Sequence, residues 1–192
     1  MLSAIIDTHE SERALVRTLA ALVPGATAGL IAEVIVADAG SADDTEEIAD
    51  IAGCRYMRSS APQGARLKAA AETTRTPWLI FLRAGCVPEP GWIQATERFM
   101  QMNDFSEGVS RAAMFRPAGF ADPLRPALRE LLSVLRLACG GRPGPEQGLL
   151  IPKRLYLSLG GHPESTEADA ALLRKLGRHR IAMLPAVATA TR

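Results

Sequence analysis

The sequence lacks the features that mark disulfide-stabilised and zinc-binding proteins. Only three cysteines occur in 192 residues, an odd number without paired spacing: Cys54, Cys86 and Cys139. Such usage favours reduced thiols in the cytoplasm over a disulfide framework. A zinc site is not expected either, because the chain contains no CxxC motif and no closely spaced group of histidines and cysteines.

Long apolar runs and a dominant charge are also missing. No stretch reaches the ~20 apolar residues that span a bilayer. Acidic residues interrupt the apolar N-terminus at Asp7, Glu10 and Glu12, so neither a signal peptide nor a membrane anchor is expected. The 22 basic and 21 acidic residues leave a formal net charge of +1, which predicts no nucleic-acid partner because no global field would attract one. These absences predict a soluble, cytoplasmic protein.

What the sequence does contain, in its first half, is an alternation of strand and helix patterns. Short apolar runs predict strands at 2–6, 33–37, 55–58 and 78–82, and helical periodicity predicts helices at 11–22, 43–51, 64–74 and after Pro90. The segment Ser41-Ala42-Asp43-Asp44 has the pattern of a capping box. Continuous apolar strands suit a parallel sheet covered by helices on both faces. We therefore predict an α/β protein whose ligands bind beyond the carboxyl ends of the strands.

The second half predicts further strands at 106–115, 148–151 and 180–184, and helices at 127–138, 153–159 and 167–176. The 127–138 helix has leucines on one face, while Arg125, Arg129 and Arg136 lie on another. We expect the leucines to pack onto the sheet or against a second subunit of a homo-oligomer. Peripheral contact of the basic face with an anionic membrane is the alternative.

Four segments together resemble the family-2 glycosyltransferases of the GT-A fold, in particular their small bacterial members without membrane helices. The segments are AIIDTHES (4–11), EVIVADAGSADDT (33–45), PQGARLKAAAETTRTPWLIFLRAGCVPEPGW (62–92) and EQGLLIPKRLYLSLGGHPES (146–165). The resemblance covers almost the whole chain. It implies one GT-A-like, three-layer α/β/α domain over residues 1–192, with a mostly parallel sheet, a nucleotide-binding half at 1–104 and an acceptor-side half at 105–192.

The resemblance also implies an activity, which is inverting transfer of a sugar from a nucleoside-diphosphate sugar to a hydroxyl acceptor. The sequence does not identify the acceptor. A catalytically inactive sugar-nucleotide-binding module is the alternative. A dinucleotide-dependent oxidoreductase is disfavoured, because Asp7-Thr8-His9-Glu10 follows the first strand in place of GxGxxG.

Matching positions assign the nucleotide site to the ends of the first strands. By position the resemblance implies that Thr8, Glu10 and Asp38 hold the base and ribose, for which a carboxylate is a suitable acceptor. The alternative for Asp38 is a turn residue that bonds the amides of Gly40 and Ser41.

The diphosphate is expected near the start of the third helix. The backbone at Gly64 and the cations Arg66 and Lys68 could bind it through amide donors and charge. Residues two apart do not share a helix face, so we expect at most one of the two cations to point into the cleft. For Lys68 a solvated surface position is the alternative.

The usual metal site of the family is not expected from the sequence. The family's Asp-x-Asp motif binds Mg²⁺ or Mn²⁺, whereas the same positions here read Arg83-Ala84-Gly85. A cation at Arg83 would repel a divalent metal, so no metal ligand and no cofactor is predicted. Three interpretations of Arg83 stay open: it replaces the metal by pairing with the diphosphate, catalysis has been lost, or it is a surface arginine.

The acceptor side is assigned by the same resemblance. The family's general base is the Asp of a Glu-Asp pair at the start of a late helix, which implies Asp169, although Ala168 stands in place of the Glu. A low pKa is expected for Asp169 unless the cleft is dry, and a helix-start carboxylate that favours the helix dipole is the alternative. Glu146, Gln147 and His162 match the acceptor-lining segments. For His162 a packing or turn residue is the alternative.

Overall fold

The computed structural model describes residues 1–104, 110–117, 147–165 and 167–190. The strands are β1 (Leu2–Thr8), β2 (Ile31–Asp38), β3 (Arg55–Arg58), β4 (Trp78–Arg83), β5 (Cys86–Pro88), β6 (Ala112–Pro117), β7 (Leu149–Pro152) and β8 (Ile181–Ala190). The α-helices are α1 (Glu12–Thr27), α2 (Thr45–Ile51), α3 (Gln63–Thr73), α4 (Trp92–Asp104), α5 (Lys153–Ser158) and α6 (Ala168–Leu176), and a 3-10 helix follows at Arg178–Arg180.

The eight strands form one sheet in the order β3-β2-β1-β4-β7-β6-β8-β5. β3, β2, β1 and β4 are mutually parallel, and β6 is parallel to β8, while β7 and β5 pair antiparallel to their neighbours. In this register Thr8 lies opposite Asp38, and Asp7 lies opposite Arg83. The carboxyl ends of β1, β2 and β4 therefore meet at one edge of the sheet, which is where ligands bind in open α/β sheets.

Helices cover both faces of this sheet. On one face α1, α2 and α4 contribute Leu15, Leu22, Ala49 and Trp92 to a core with Leu2, Ala4 and Ile6 of β1. On the other face α3, α5 and α6 contribute Leu67, Leu155, Tyr156 and Leu172 to a core with Ile5 of β1 and Phe81 of β4. Alternate residues of one strand thus enter opposite cores, because successive side chains point to opposite faces. This explains why the parallel strands read as continuous apolar runs.

The predicted elements that fall on described residues are present, with differences at their ends. α1 continues past Leu22 and contains Pro24, since its buried face extends to Gly25 and the missing proline N–H costs only one bond near the last turns. β5 was not predicted, and its three residues are held by antiparallel pairing with the unexpectedly long β8. The capping-box prediction was wrong: Ser41 Oγ bonds Asp38 and the Glu10 amide, and Asp43 accepts from the Thr45 amide instead.

Some predictions lie outside the described residues, namely the 127–138 helix with its arginines, and Glu146. The homo-oligomer, the membrane contact and the cytoplasmic location stay predictions. Within the described ranges, none of the helices has the length and apolar character needed to cross a membrane.

Candidate active site

Five polar side chains from four elements meet at the carboxyl edge of the sheet, and we call them the edge network: Asp7, Gln63, Arg66, Arg83 and Asp169. Arg66 Nη2 lies 2.6 Å from Asp7 Oδ1, and Gln63 Nε2 donates to Asp7 Oδ2 at 2.8 Å. Gln63 Nε2 also reaches Asp169 Oδ2 at 3.3 Å. Arg83 Nη2 donates to the same Asp169 oxygen at 2.9 Å. The network joins the ends of β1 and β4 to the starts of α3 and α6.

Asp169 is a largely enclosed acid of the edge network, and it contacts side chains from both halves of the chain. Its side chain is 19% exposed. Burial would raise the pKa of this carboxyl, but its contacts with His162 and with Arg83 lower the pKa below its ordinary value. The low pKa agrees with the expectation from the sequence, and it keeps Asp169 ionised at neutral pH.

His162 lies on the other side of Asp169 and is completely buried. Its Nε2 is 3.3 Å from Asp169 Oδ1, and its Nδ1 is 2.9 Å from the hydroxyl of Tyr156 in α5. The ring packs edge-on against Phe81, with 4.7 Å between the ring centroids. The sequence alone suggested a packing residue or an acceptor contact; the structure places His162 against the predicted base.

A cleft of about 700 Å³ opens beside Arg83. It is lined by the start of α1 and by the turn between β4 and β5, and its lining residues include Glu10, Arg13, Asp43, Arg83 and Ala190. The Arg83 side chain is 41% exposed, so the guanidinium reaches both this space and Asp169. A second cavity of about 20 Å³, lined in part by Gln63, Asp7 and Asp169, has room for about one water molecule.

The carboxylate of Asp38 is buried and accepts five hydrogen bonds within the chain. Oδ1 accepts from Thr8 Oγ1 and Ser41 Oγ, and Oδ2 accepts from the amides of Gly40 and Ser41 and from the hydroxyl of Tyr56. Burial opposes ionisation, but these bonds, with those of Ser41 the strongest, lower the pKa of Asp38 to about 2. The bonds to Gly40 and Ser41 are those of the turn interpretation. Nucleotide binding by Thr8 and Asp38 stays a prediction.

The remaining residues of the predicted nucleotide site fall in different surroundings. Glu10 lines the cleft and has φ +47, and its Oε1 accepts from the amide of Ala42. Arg66 is engaged with Asp7 rather than directed to the cleft, with only 9% of its side chain exposed. Lys68 is half-buried and has no hydrogen-bonding or ionic partner among the described residues. The acceptor-side residue Gln147 is half-buried, and its Oε1 has no partner within the described part of the chain.

Gly64 is packed too closely for any side chain. A Cβ there would lie 1.7 Å from the carbonyl oxygen of Pro163, and the Gly64 amide points to the carbonyl of Ser165 at 3.4 Å. The start of α3 therefore contacts the segment leading to α6. This contact brings Gln63 to Asp169.

Three members of the site were not selected from the sequence: Asp7, Gln63 and Tyr156. Asp7 is the last residue but one of β1 and lies directly opposite Arg83. The signal for Asp7 was therefore the parallel register of the two strands. Gln63 and Tyr156 carried no local signal, because their partners Asp169 and His162 are decided by helix packing.

The donor set at Arg83-Ala84-Gly85 does not fit a divalent metal. Ala84 and Gly85 offer no side-chain ligand, and the Arg83 guanidinium is paired with Asp169. Asp7 is already compensated by Arg66. Within the described ranges, no group of three or more His, Cys, Asp or Glu side chains is placed to hold a metal ion. We derive no step through a metal.

The comparison with known families decides the membership of the chain. The family model described as Glycosyl transferase family 2 matches residues 3–117, which is more than half of the chain. The chain belongs to glycosyltransferase family 2. In this family-2 glycosyltransferase the matched region contains Asp7, Gln63, Arg66 and Arg83, and Asp169 lies beyond it.

Solved glycosyltransferase structures confirm the GT-A-like fold. Glucosyl-3-phosphoglycerate synthase from Mycobacterium tuberculosis, in complex with Mn²⁺, UDP and glucosyl-3-phosphoglycerate, aligns with a TM-score of 0.71 at 21% identity, covering 100% of this chain and 72% of that one. TarS residues 1–349 from S. aureus align with a TM-score of 0.71 at 17% identity, covering 98% of this chain and 60% of that one. At these identities the likeness shows the fold alone. No curated protein matches the sequence significantly.

Proposed function

We propose that this protein transfers a sugar from a nucleoside-diphosphate sugar to a hydroxyl acceptor by direct displacement with inversion. Asp169 is the general base, and Arg83 binds the diphosphate in place of a metal. The observation that carries the proposal is the 2.9 Å contact between Arg83 and Asp169 beside the cleft. The two groups that the chemistry needs, one for the leaving group and one for the nucleophile, are neighbours at the same edge of the sheet.

Arg83 suits the donor side of the reaction. Its guanidinium is permanently charged and presents a planar fork of donors, which matches phosphate oxygens. Its Nε is buried and has no partner in the described part of the chain, so only one of its donating groups is committed to Asp169. Charge developing on the leaving diphosphate would be stabilised by this cation.

In-line displacement requires Arg83 and Asp169 to separate. The entering hydroxyl and the leaving phosphate lie on opposite sides of the anomeric carbon, and two groups 2.9 Å apart leave no space for a sugar between them. The diphosphate therefore competes with Asp169 for Arg83. As Arg83 moves to the phosphates, Asp169 loses a neighbour that lowers its pKa and becomes a stronger base. Donor binding thus prepares the base.

The glucosyl-3-phosphoglycerate synthase in the comparison binds UDP and UDP-glucose. We therefore propose UDP-sugars as the first donors to test. The acceptor of that enzyme is not carried over, because the two chains share only 21% identity.

The test has two stages, beginning with a thermal-shift panel of nucleoside diphosphates and nucleoside-diphosphate sugars. A true ligand at ~100 times its Kd stabilises the fold by ~2.7 kcal/mol. The bound donor is then incubated with candidate hydroxyl acceptors, and with water alone, while release of nucleoside diphosphate and the anomeric configuration of the product are measured.

Transfer with inverted configuration supports the proposal. Binding without any turnover would identify the protein as an inactive sugar-nucleotide-binding module. Failure of every nucleotide to bind would overturn both interpretations.

A further inference from the structure

Tyr156 and His162 form a buried pair behind Asp169. Both side chains are fully enclosed: Tyr156 and His162 are 0% and 1% exposed. The Tyr156 oxygen accepts from the backbone amide of His162 at 3.1 Å and lies 2.9 Å from His162 Nδ1. Among the described residues the hydroxyl has no other hydrogen-bond partner. Its single hydrogen must therefore go to Nδ1, since a buried donor left without an acceptor is costly.

This arrangement fixes the tautomer of His162. With Nδ1 accepting from Tyr156, the imidazole proton of the neutral ring is on Nε2. Nε2 faces Asp169 Oδ1 at 3.3 Å, longer than the ~2.9–3.0 Å typical of an N–H···O bond. Within the described ranges Nε2 makes no hydrogen bond, so its contact with Oδ1 is a close approach and not a formed bond. Asp169 Oδ1 is the carboxylate oxygen within reach of this N–H.

The two oxygens of Asp169 are engaged from different sides. Oδ1 faces His162, and Oδ2 accepts from Arg83 and Gln63. Arg83 belongs to β4 and is partly exposed, whereas the His162 ring is wedged between Phe81 and Tyr156. When Arg83 moves to a ligand, His162 stays in place and the contact to Oδ1 can shorten.

We propose that His162, held by Tyr156, is a positioning residue for the general base. Its Nε2–H orients Oδ1, so that Oδ2 is presented to the acceptor hydroxyl once Arg83 has left. This inference rests on the proposed function. A neutral donor suits the task because it orients the carboxylate without adding a second full positive charge, which would weaken the base.

The charged and titratable groups that face Asp169 come from four parts of the chain. They are Arg83 at the end of β4, His162 in the turn after α5, and, through Gln63, the Asp7–Arg66 pair of β1 and α3. A change in the pH profile that appears in a His162 variant but not in a matched control therefore reports on the contact between His162 and Asp169.

The first experiment is ¹⁵N NMR of the histidine rings in the full-length protein. The chain has three histidines, and His9 and His179 are exposed, so the signal lost in His162→Gln identifies His162. We expect the neutral ring to carry its proton on Nε2. In Tyr156→Phe the Nδ1–H form should become populated. An Nδ1–H tautomer in the unmodified protein would overturn the assignment.

The second experiment compares variants that keep or remove the N–H. His162→Phe keeps an aromatic ring but no donor, and we expect kcat to fall on the order of 10²-fold, since misplacement of a catalytic group by about 1 Å has this effect. KM for the donor and nucleoside-diphosphate affinity should be unchanged. The amide N–H of glutamine in His162→Gln reaches toward the position of Nε2. Compared with His162→Phe, this variant should regain most of kcat and the dependence of kcat on pH at the acidic end of the profile. His179→Gln is the control.

The outcomes separate this inference from the proposed function. If kcat falls equally in His162→Phe and His162→Gln, and the fall parallels the decrease in their melting temperatures, His162 is a packing residue only. Normal kcat in a folded His162→Phe protein would overturn the positioning role while the transfer activity stands. Absence of turnover in the unmodified protein would overturn the proposed function itself.

Discussion

Arg83 and Asp169 form an ion pair across 86 residues of sequence, with 2.9 Å between Nη2 and Oδ2. By the resemblance of the sequence to the family, Arg83 is predicted to stand in the metal-binding motif and Asp169 to be the general base. The chain therefore couples the predicted donor site directly to the predicted base. This pair underlies the first three predictions.

Arg83→Ala should weaken a nucleoside diphosphate more than the matching nucleoside, because only the diphosphate presents oxygens to the guanidinium. Loss of a charge-assisted bond costs about 1.5–3 kcal/mol, roughly a 10- to 100-fold increase in Kd. Isothermal titration with both ligands measures the difference. Arg154→Ala, at an exposed position of α5 outside the cleft lining, is the control. Equal effects on the two ligands would remove Arg83 from the diphosphate site.

Binding of the nucleoside diphosphate should be insensitive to metal. The residues at 83–85 offer no carboxylate pair for Mg²⁺ or Mn²⁺, so Kd should be the same in EDTA and in Mn²⁺. The double variant Arg83→Asp, Gly85→Asp should gain little metal binding, since Gly85 has φ +92, a conformation that is strained for aspartate. Strong Mn²⁺-dependent binding by the unmodified protein would contradict this prediction.

Asp169→Asn should remove the general base while preserving the shape of the site. An amide cannot take the acceptor proton, so transfer should fall by ~10²-fold or more, with nucleoside-diphosphate affinity unchanged. Steady-state kinetics and titration calorimetry check the two parts. Glu167→Gln, an exposed acid two residues earlier, should be neutral; near-normal turnover in Asp169→Asn would exclude Asp169 as the base.

Asp38→Ala should destabilise the fold in a pH-dependent way. The folded-state pKa of about 2 lies below the ordinary 3.8, so this stabilisation is fully present above the ordinary value and is lost as pH falls toward the folded value. The shift corresponds to about 2 kcal/mol at neutral pH. Urea unfolding of both proteins at neutral and acidic pH should show a difference in stability that shrinks on acidification.

The same Asp38 variant also tests the nucleotide prediction. If Asp38 contacts the base or ribose, nucleotide affinity should fall by about 1.5–3 kcal/mol at a temperature where the variant is folded. A destabilised but folded variant with unchanged affinity would make Asp38 a turn residue alone.

Gly64→Ala should destabilise the protein through a steric clash. The new methyl would lie 1.7 Å from the Pro163 carbonyl oxygen, so α3 and the segment before α6 must move apart. Gly53→Ala is the matched control, because its φ is +68 but nothing lies within 4 Å of the added Cβ, and it should cost only about 1–2 kcal/mol of backbone strain. Similar melting temperatures for the two variants would show that the backbone around Gly64 and Pro163 moves apart at little cost in stability.

Much of the fold could be predicted because its signals are local. β3 has the predicted bounds, and the apolar runs of β1 and β4 identified strands buried on both faces. The differences arose where a distant partner decides the structure. β5 has only three residues and depends on β8, and Ser41, which was predicted to cap α2, bonds the buried Asp38 instead.

By itself, then, the sequence determined the alternation of strands and helices, and its resemblance to the family predicts that Arg83-Ala84-Gly85 stands in place of the metal-binding residues. Only the tertiary structure decided which groups compensate the charges at those positions. Arg83 pairs with Asp169, and Arg66 pairs with Asp7. The Nε2 atom of His162 lies close to Asp169. Residue type and periodicity are local properties that can be read from the sequence. Hydrogen-bond partners depend on strand register and on how closely α3 and α6 approach each other, and residues far apart in sequence determine both.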